Sequence, residues 1–237
     1  MNTTVIRLSL RALFGRRRAL LLLLLPAVLL LLAVVIRLLA GSDQGITRDL
    51  LGIFALGTLV PLLGLITGTG VLGPEIDDGS VVYLLAKPIS RPAIVHSKLL
   101  VALIAVTLFA ALPTLIAGLL MSGLAGGLAV GYAVGALIAG TAYCALFLLL
   151  SVITRNAVIV GLLYALIWET VLGGYVPGAQ KLSILQWALS VTRAISGSEV
   201  KAAVSLPVGI TLLAMIFLGS TWYAGRRLEQ LTLTSDE

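Results

Sequence analysis

The stretch Arg16-Arg17-Arg18-Ala19-Leu20-Leu21-Leu22-Leu23-Leu24-Leu25-Pro26-Ala27-Val28-Leu29-Leu30-Leu31-Leu32-Ala33-Val34-Val35-Ile36-Arg37-Leu38-Leu39 decides the class of this molecule. From Ala19 to Leu39 only Pro26 and Arg37 interrupt the apolar run. A helix rising about 1.5 Å per residue needs about 20 such residues to cross a hydrocarbon layer of about 30 Å. The run is too long for the core of a cleaved signal peptide and is followed by no Ala-x-Ala-like site, so it is expected to be a true span.

Outward from this run, the composition agrees. Of 237 residues, 59% are apolar and only 11% charged, against about 25% charged in soluble domains. Such a chain cannot coat a globule with polar surface, so its solvent must be largely lipid. Five further apolar runs follow: Leu50–Leu72, Leu99–Ser122, Leu128–Ile153, Ala157–Leu172, which is short for a span, and Leu206–Ala224. The expectation is one all-α transmembrane domain over residues 1–237, a polytopic protein of six transmembrane helices. Membrane lipids are its surroundings.

Charge supplies the orientation. Eleven of the 16 Lys and Arg residues fall on one side: Arg7, Arg11, Arg16–Arg18, Lys87, Arg91, Lys98, Arg155, Arg226 and Arg227. The other side holds Arg37, Arg48, Lys181, Arg193 and Lys201. The positive-inside rule then puts both termini in the cytoplasm, in a plasma (inner) membrane. The net charge of +6 is concentrated beside apolar runs, a pattern of membrane orientation and not of nucleic-acid binding. Within residues 1–18, Ile6, Leu10, Leu13 and Phe14 share one helical face and Arg7, Arg11 and Arg18 another, which predicts an amphipathic interfacial helix; a disordered basic tail is the alternative.

The reagents for most enzyme chemistry are missing. One histidine, His96, and one cysteine, Cys144, give no intrachain disulfide or zinc cluster, and metal-dependent and serine–histidine chemistries lose most of their reagents. The chain lacks Gly-x-x-x-x-Gly-Lys-Ser/Thr, whose backbone amides and lysine cradle phosphates. Gly64, Gly68 and Gly70 come closest, in an apolar run without a lysine. We therefore expect no catalytic, cofactor or metal site. The four-residue spacing of Gly64 and Gly68, and of Gly127, Gly131 and Gly135, suits close helix packing, within one chain in preference to between chains.

Two connections are long. Residues 73–98 carry Glu75, Asp77, Asp78, Lys87, Arg91, His96 and Lys98; Gly79 and Pro88 break this segment, Ser90 is a fitting N-cap and Pro92 is tolerated in the first turn of the helix that follows. It reads as a docking surface on the cytoplasmic face. A solvated loop and a hard-cation site at Glu75, Asp77 and Asp78 are the alternatives. Residues 173–205 contain an apolar, Trp-bearing middle, Leu182–Ala194, expected to lie at or dip into the outer leaflet, as a re-entrant or interfacial helix.

Glu169 is the one acid inside an apolar run, and such carboxylates are functional by default. Near the outer end it could snorkel to water, bond Arg193 or Lys181, or contact substrate; with Trp168 it marks a candidate outer-leaflet site. Trp168 and Trp187 suit the interfacial aromatic belt. Arg37, near a span end, can reach the headgroups.

Glu75, Gly79-Ser80, Leu84-Leu85-x-x-Pro88-Ile89-Ser90-Arg91 and Lys98 at the mouth of the third run together resemble the first cytoplasmic loop of ATP-binding-cassette type 2 permeases. The basic N-terminus, six spans and apolar outer segment resemble that family's layout. The resemblance implies a permease subunit of an exporter of a lipid-like or amphipathic compound, working as a homodimer or heterodimer with a second permease subunit. It implies that ATP and Mg2+ sit on separate ABC ATPase subunits, and that Glu75, Asp78, Gly79, Leu84, Leu85, Pro88, Ser90 and Arg91 form the coupling helix that docks there. The other reading of the chain is a secondary transporter or channel using Glu169.

Overall fold

A computed structural model of the chain describes residues 16–73, 75, 91–123, 125–197 and 199–230. The expected interfacial helix falls almost wholly outside them. Among the described residues the structure is helical and contains no strand. Five helices are long and apolar enough to cross a membrane, and a sixth apolar helix is shorter.

Helix α1 (Arg16–Ala40) ends where Gly41 turns the chain at φ 72°. Asp43 caps α2 (Gln44–Gly70) by accepting from the amides of Gly45 and Ile46, satisfying N–H groups that a helix start leaves without partners. This cap starts α2 six residues before the apolar run from which the span was read. Similarly, α3 (Ala93–Ser122) is the spanning part of a helix that begins at Arg91. Pro92 therefore lies in its first turn, and His96 and Lys98 belong to a helix and not to the preceding connection.

Both α2 and α3 widen to π-helix over Leu50–Leu59 and Thr107–Ala111, just before Pro61 and Pro113. A proline inside a helix lacks the N–H for the ladder and pushes its ring against an earlier carbonyl. Widening the preceding turns relieves both without breaking the helix.

The core is built around α4 (Leu128–Ile153), of whose 26 residues sixteen are buried. It packs against the second half of α2, against α3, against α7 (Leu206–Gln230) and against α6 (Ile184–Ser196). Gly64 and Gly68 allow the α2 contact: a Cβ on Gly68 would sit 2.8 Å from the Cys144 carbonyl oxygen and 3.0 Å from Phe147 Cβ. Gly131 and Gly135 leave room for Ser196 and Thr192 of α6. The glycine spacings thus serve packing within the chain.

Helix α5 (Ala157–Leu172) spans only about 24 Å at 1.5 Å per residue, and is π-helical from Tyr164. Helix α6 falls within the segment expected at the outer leaflet, and it packs inside the protein. It sinks one face, with Ile184, Trp187, Ala188 and Val191, into the bundle between α4 and α7. Trp187 is accordingly a core residue whose indole donates to the Lys181 carbonyl at 2.8 Å, a correction to its assignment to an interfacial belt. By contrast, α1 and α7 expose Leu20, Leu24, Leu31, Met215, Leu218 and Trp222, the surface expected of helices bathed in lipid. Arg37 turns inward to the Met121 carbonyl at the end of α3, 3.2 Å away, one of the carbonyls a helix terminus leaves without an intrahelical partner.

Candidate functional site

Two places gather polar chemistry. At the end of the bundle where α2 finishes and α3 starts, Lys98 is a fully buried cation. Its ammonium donates to the Val71 carbonyl, just past the last turn of α2, and to Glu75 Oε1 at 2.7 Å. Glu75 in turn is held by its amide, which donates to Leu72 O at 3.1 Å. A buried ammonium is tolerated only when paired and hydrogen-bonded, and here both conditions are met. Lys98 therefore ties together the exit from α2, the first acid of the connection and the base of α3.

Of the residues singled out in that connection, Glu75 is thus placed, its side chain 26% exposed and directed at Lys98. Arg91 opens the helix that becomes α3. Asp78, Gly79, Leu84, Leu85, Pro88 and Ser90 lie outside the described residues, as does Asp77.

At the opposite, distal end, Glu169 is fully buried near the end of α5. Among the described residues its partners include neither Arg193 nor Lys181. Its carboxylate accepts from Tyr164 Oη at 2.8 Å, Ser183 Oγ at 2.5 Å and the amides of Ile184 and Leu185 at 3.0 and 3.2 Å. Those amides are the first of α6. A carboxylate at a helix N-terminus satisfies unpaired N–H groups and meets the positive end of the helix dipole, so Glu169 fastens α6 to α5. The Trp168 indole reinforces the joint by donating to Leu182 O at 3.3 Å.

Beside this joint lies a half-open cavity of about 650 Å³, within the size range of small-molecule pockets. Residues at the start of α2 and the end of α5 form two walls, α6 a third, and Tyr132 of α4 joins the lining. Its lining is apolar at Ile53, Leu185 and Leu189 and charged at Arg48, Asp49, Glu199 and Lys201 as well as Glu169. Arg48 pairs with Glu199 at 2.7 Å. Both flanking walls are π-helical here, and in each a threonine facing the cavity donates five residues back: Thr58 to Ile53 O at 3.2 Å and Thr170 to Ala165 O at 3.1 Å. π-helical turns occur disproportionately at functional sites.

A family model described as "ABC-2 family transporter protein" matches residues 17–222, most of the chain. The chain belongs to this ABC-2 transporter family. It is a multi-pass ABC transporter permease, the membrane subunit of an ABC transporter, and the family implies association with an ABC ATPase subunit. A search of curated proteins finds no match.

Within this ABC-2 permease, the resemblance read from Glu75, the Leu-Leu pair and Pro-Ile-Ser-Arg pointed to the right family. The sequence showed Lys98 as a charge of the connection and a part of the family motif, but not as a buried one; Arg48 and Lys201 counted only toward orientation, and Asp49 and Glu199 went unremarked. The one available signal was Lys98 itself, a cation adjoining a long apolar run, where only a partner makes burial tolerable.

Proposed function

We propose that this permease is the transmembrane half of an ATP-driven exporter of a lipid-like or amphipathic compound, set in a plasma membrane with both termini cytoplasmic. The family match over residues 17–222 is the observation that carries the reading. Two permease subunits, identical or sister chains, form the pathway; separate ABC ATPases hold the ATP and Mg2+ and dock on the connection between α2 and α3. The distal cavity then faces outward.

The geometry at the base of α3 supports coupling through that connection. Lys98 holds Glu75 and the end of α2 to α3, so a displacement of the docked segment is delivered to two spans together. Closure of the ATPases on ATP favours one orientation of the pathway and hydrolysis releases it, which is alternating access driven by a ligand that binds the two states unequally.

A secondary transporter coupled through Glu169 fits less well, because four donors already occupy that carboxylate. Inside-out vesicles separate the two. Uptake of an amphipathic fluorescent probe should require ATP and persist with ion gradients collapsed. Uptake that follows an ion gradient and ignores ATP would overturn the exporter reading.

A further inference from the structure

The distal cavity carries two charges of each sign on one rim, arranged so that one of each is spoken for. Arg48 and Glu199 pair with each other at 2.7 Å. Asp49 and Lys201 make no ion pair among the described residues, and both border the cavity. Glu169, the fifth charged group on the lining, is consumed by Tyr164, Ser183 and the amides of α6. What the rim offers a ligand is therefore one free carboxylate and one free ammonium. In addition, the Arg48 Nε is buried without a hydrogen-bond partner among the described residues.

Each simple headgroup meets a penalty at such a rim. An anion gains Lys201 and Arg48 but is brought against Asp49 and Glu199; a cation gains the acids but is brought against the bases. An uncharged headgroup leaves both free charges partly desolvated without compensation. A headgroup that carries an ammonium and a phosphate offers each a counter-charge, with the stronger hydrogen bonds that ionised pairs make. About one helical turn along α2 from Asp49 lies Ile53, and with Leu185 and Leu189 it makes the lining apolar there. Ile53 is both on the lining and 72% exposed, which leaves an apolar edge along α2 where an acyl chain can lie.

From this we infer that the cavity between α2, α5 and α6 binds a zwitterionic amphiphile, an ammonium-and-phosphate headgroup on an aliphatic chain, with the phosphate toward Lys201 and Arg48 and the ammonium toward Asp49 and Glu199. The inference rests on the exporter reading only for its physiological sense. The same chemistry describes a transported lipid-like cargo and a resident lipid of the outer leaflet.

The test uses the purified full-length permease, with any ATPase that accompanies it, in a neutral maltoside detergent. Four probes of equal chain length are titrated by native mass spectrometry: a lysophosphatidylethanolamine, a lysophosphatidylglycerol, an alkyltrimethylammonium and a monoacylglycerol. The zwitterion should bind about fivefold or more tighter than the rest, the order of effect expected for partly exposed charge pairs. Lys201→Glu should shift the preference to the cationic probe and Asp49→Lys to the anionic one, while Asp49→Lys with Lys201→Asp should restore the zwitterion. Because all these positions are on an exposed rim, retained α-helical circular dichroism checks folding. Binding that ignores the headgroup, or wild-type preference for the anionic probe, overturns the inference. Either result with an ATPase still copurifying removes this site and leaves the permease reading intact. Release of the bound zwitterion on adding ATP to the ATPase-bound complex would mark it as cargo and retention as resident lipid, and both support the site.

Discussion

The Lys98 ammonium lies 2.7 Å from Glu75 Oε1 and also donates to the Val71 carbonyl, with the lysine fully buried at the base of α3. The acid that begins the α2–α3 connection thus faces into the membrane subunit.

Removing one member of a buried pair costs about 3–5 kcal/mol because the other charge is left stranded. The 26% exposure of Glu75 places Glu75→Gln below that range, at about 2 kcal/mol after solvent screening. Lys98→Met combined with Glu75→Gln should be less destabilising than Glu75→Gln alone, since no buried cation is then unpaired. Thermal denaturation in detergent across this double-mutant cycle checks it; strictly additive losses would show that the pair does not interact.

Glu169→Gln replaces a carboxylate that accepts four hydrogen bonds with an amide bearing a single acceptor oxygen. A hydrogen bond to a charged group contributes about 1.5–3 kcal/mol, so losing even one should loosen α6. Hydrogen exchange should accelerate over residues 183–196 while α1, which does not touch the joint, keeps its protection. Unchanged exchange with abolished transport would instead make Glu169 a group acting directly on cargo or a coupling ion.

Helix contacts at glycine should be intolerant of a single carbon only where the partner backbone is close. Gly68→Ala brings a Cβ to 2.8 Å from the Cys144 carbonyl and should cost about 1–3 kcal/mol by overpacking. Nothing lies within 4 Å of the corresponding position on Gly219 in α7, and Gly219→Ala should leave the melting temperature unchanged or slightly raised.

Cys144 is fully buried, with its sulfur 3.2 Å from Thr67 Oγ1. Folded protein should resist a membrane-permeant maleimide, and unfolding in dodecyl sulfate should expose one reactive thiol. Rapid labelling before denaturation would show that α2 and α4 separate at this level.

How far this could be read in advance follows from the range of each interaction. The spans were legible because hydrocarbon thickness sets a length that any apolar run either meets or misses, and Ala157–Leu172 was recognisable as short on that ground alone. Glycine spacing gave away which helix faces come close, since a four-residue repeat returns to one side of a helix. The apolar, Trp-bearing stretch Leu182–Ala194 was visible too, but whether its apolar side chains meet lipid or protein depends on Gly131, Gly135 and Gly209 opposite it. Likewise Glu169 and Ser183 are 14 residues apart and meet only because the chain reverses after α5. The cavity rim joins Arg48 and Asp49 to Glu199 and Lys201 across some 150 residues. No local pattern announces a pairing of that span.

The most direct test of the account is whether an ABC ATPase is held by the connection between α2 and α3. The C-terminally tagged permease is solubilised gently and purified from its native membranes alongside a Leu84→Asp, Leu85→Asp double variant, which leaves the Lys98–Glu75 pair untouched. The account predicts a Walker-motif ATPase stoichiometric with the wild-type chain and lost from a variant that is otherwise folded. An ATPase absent from wild type under every mild condition, with ATP-independent solute movement in liposomes, would contradict it.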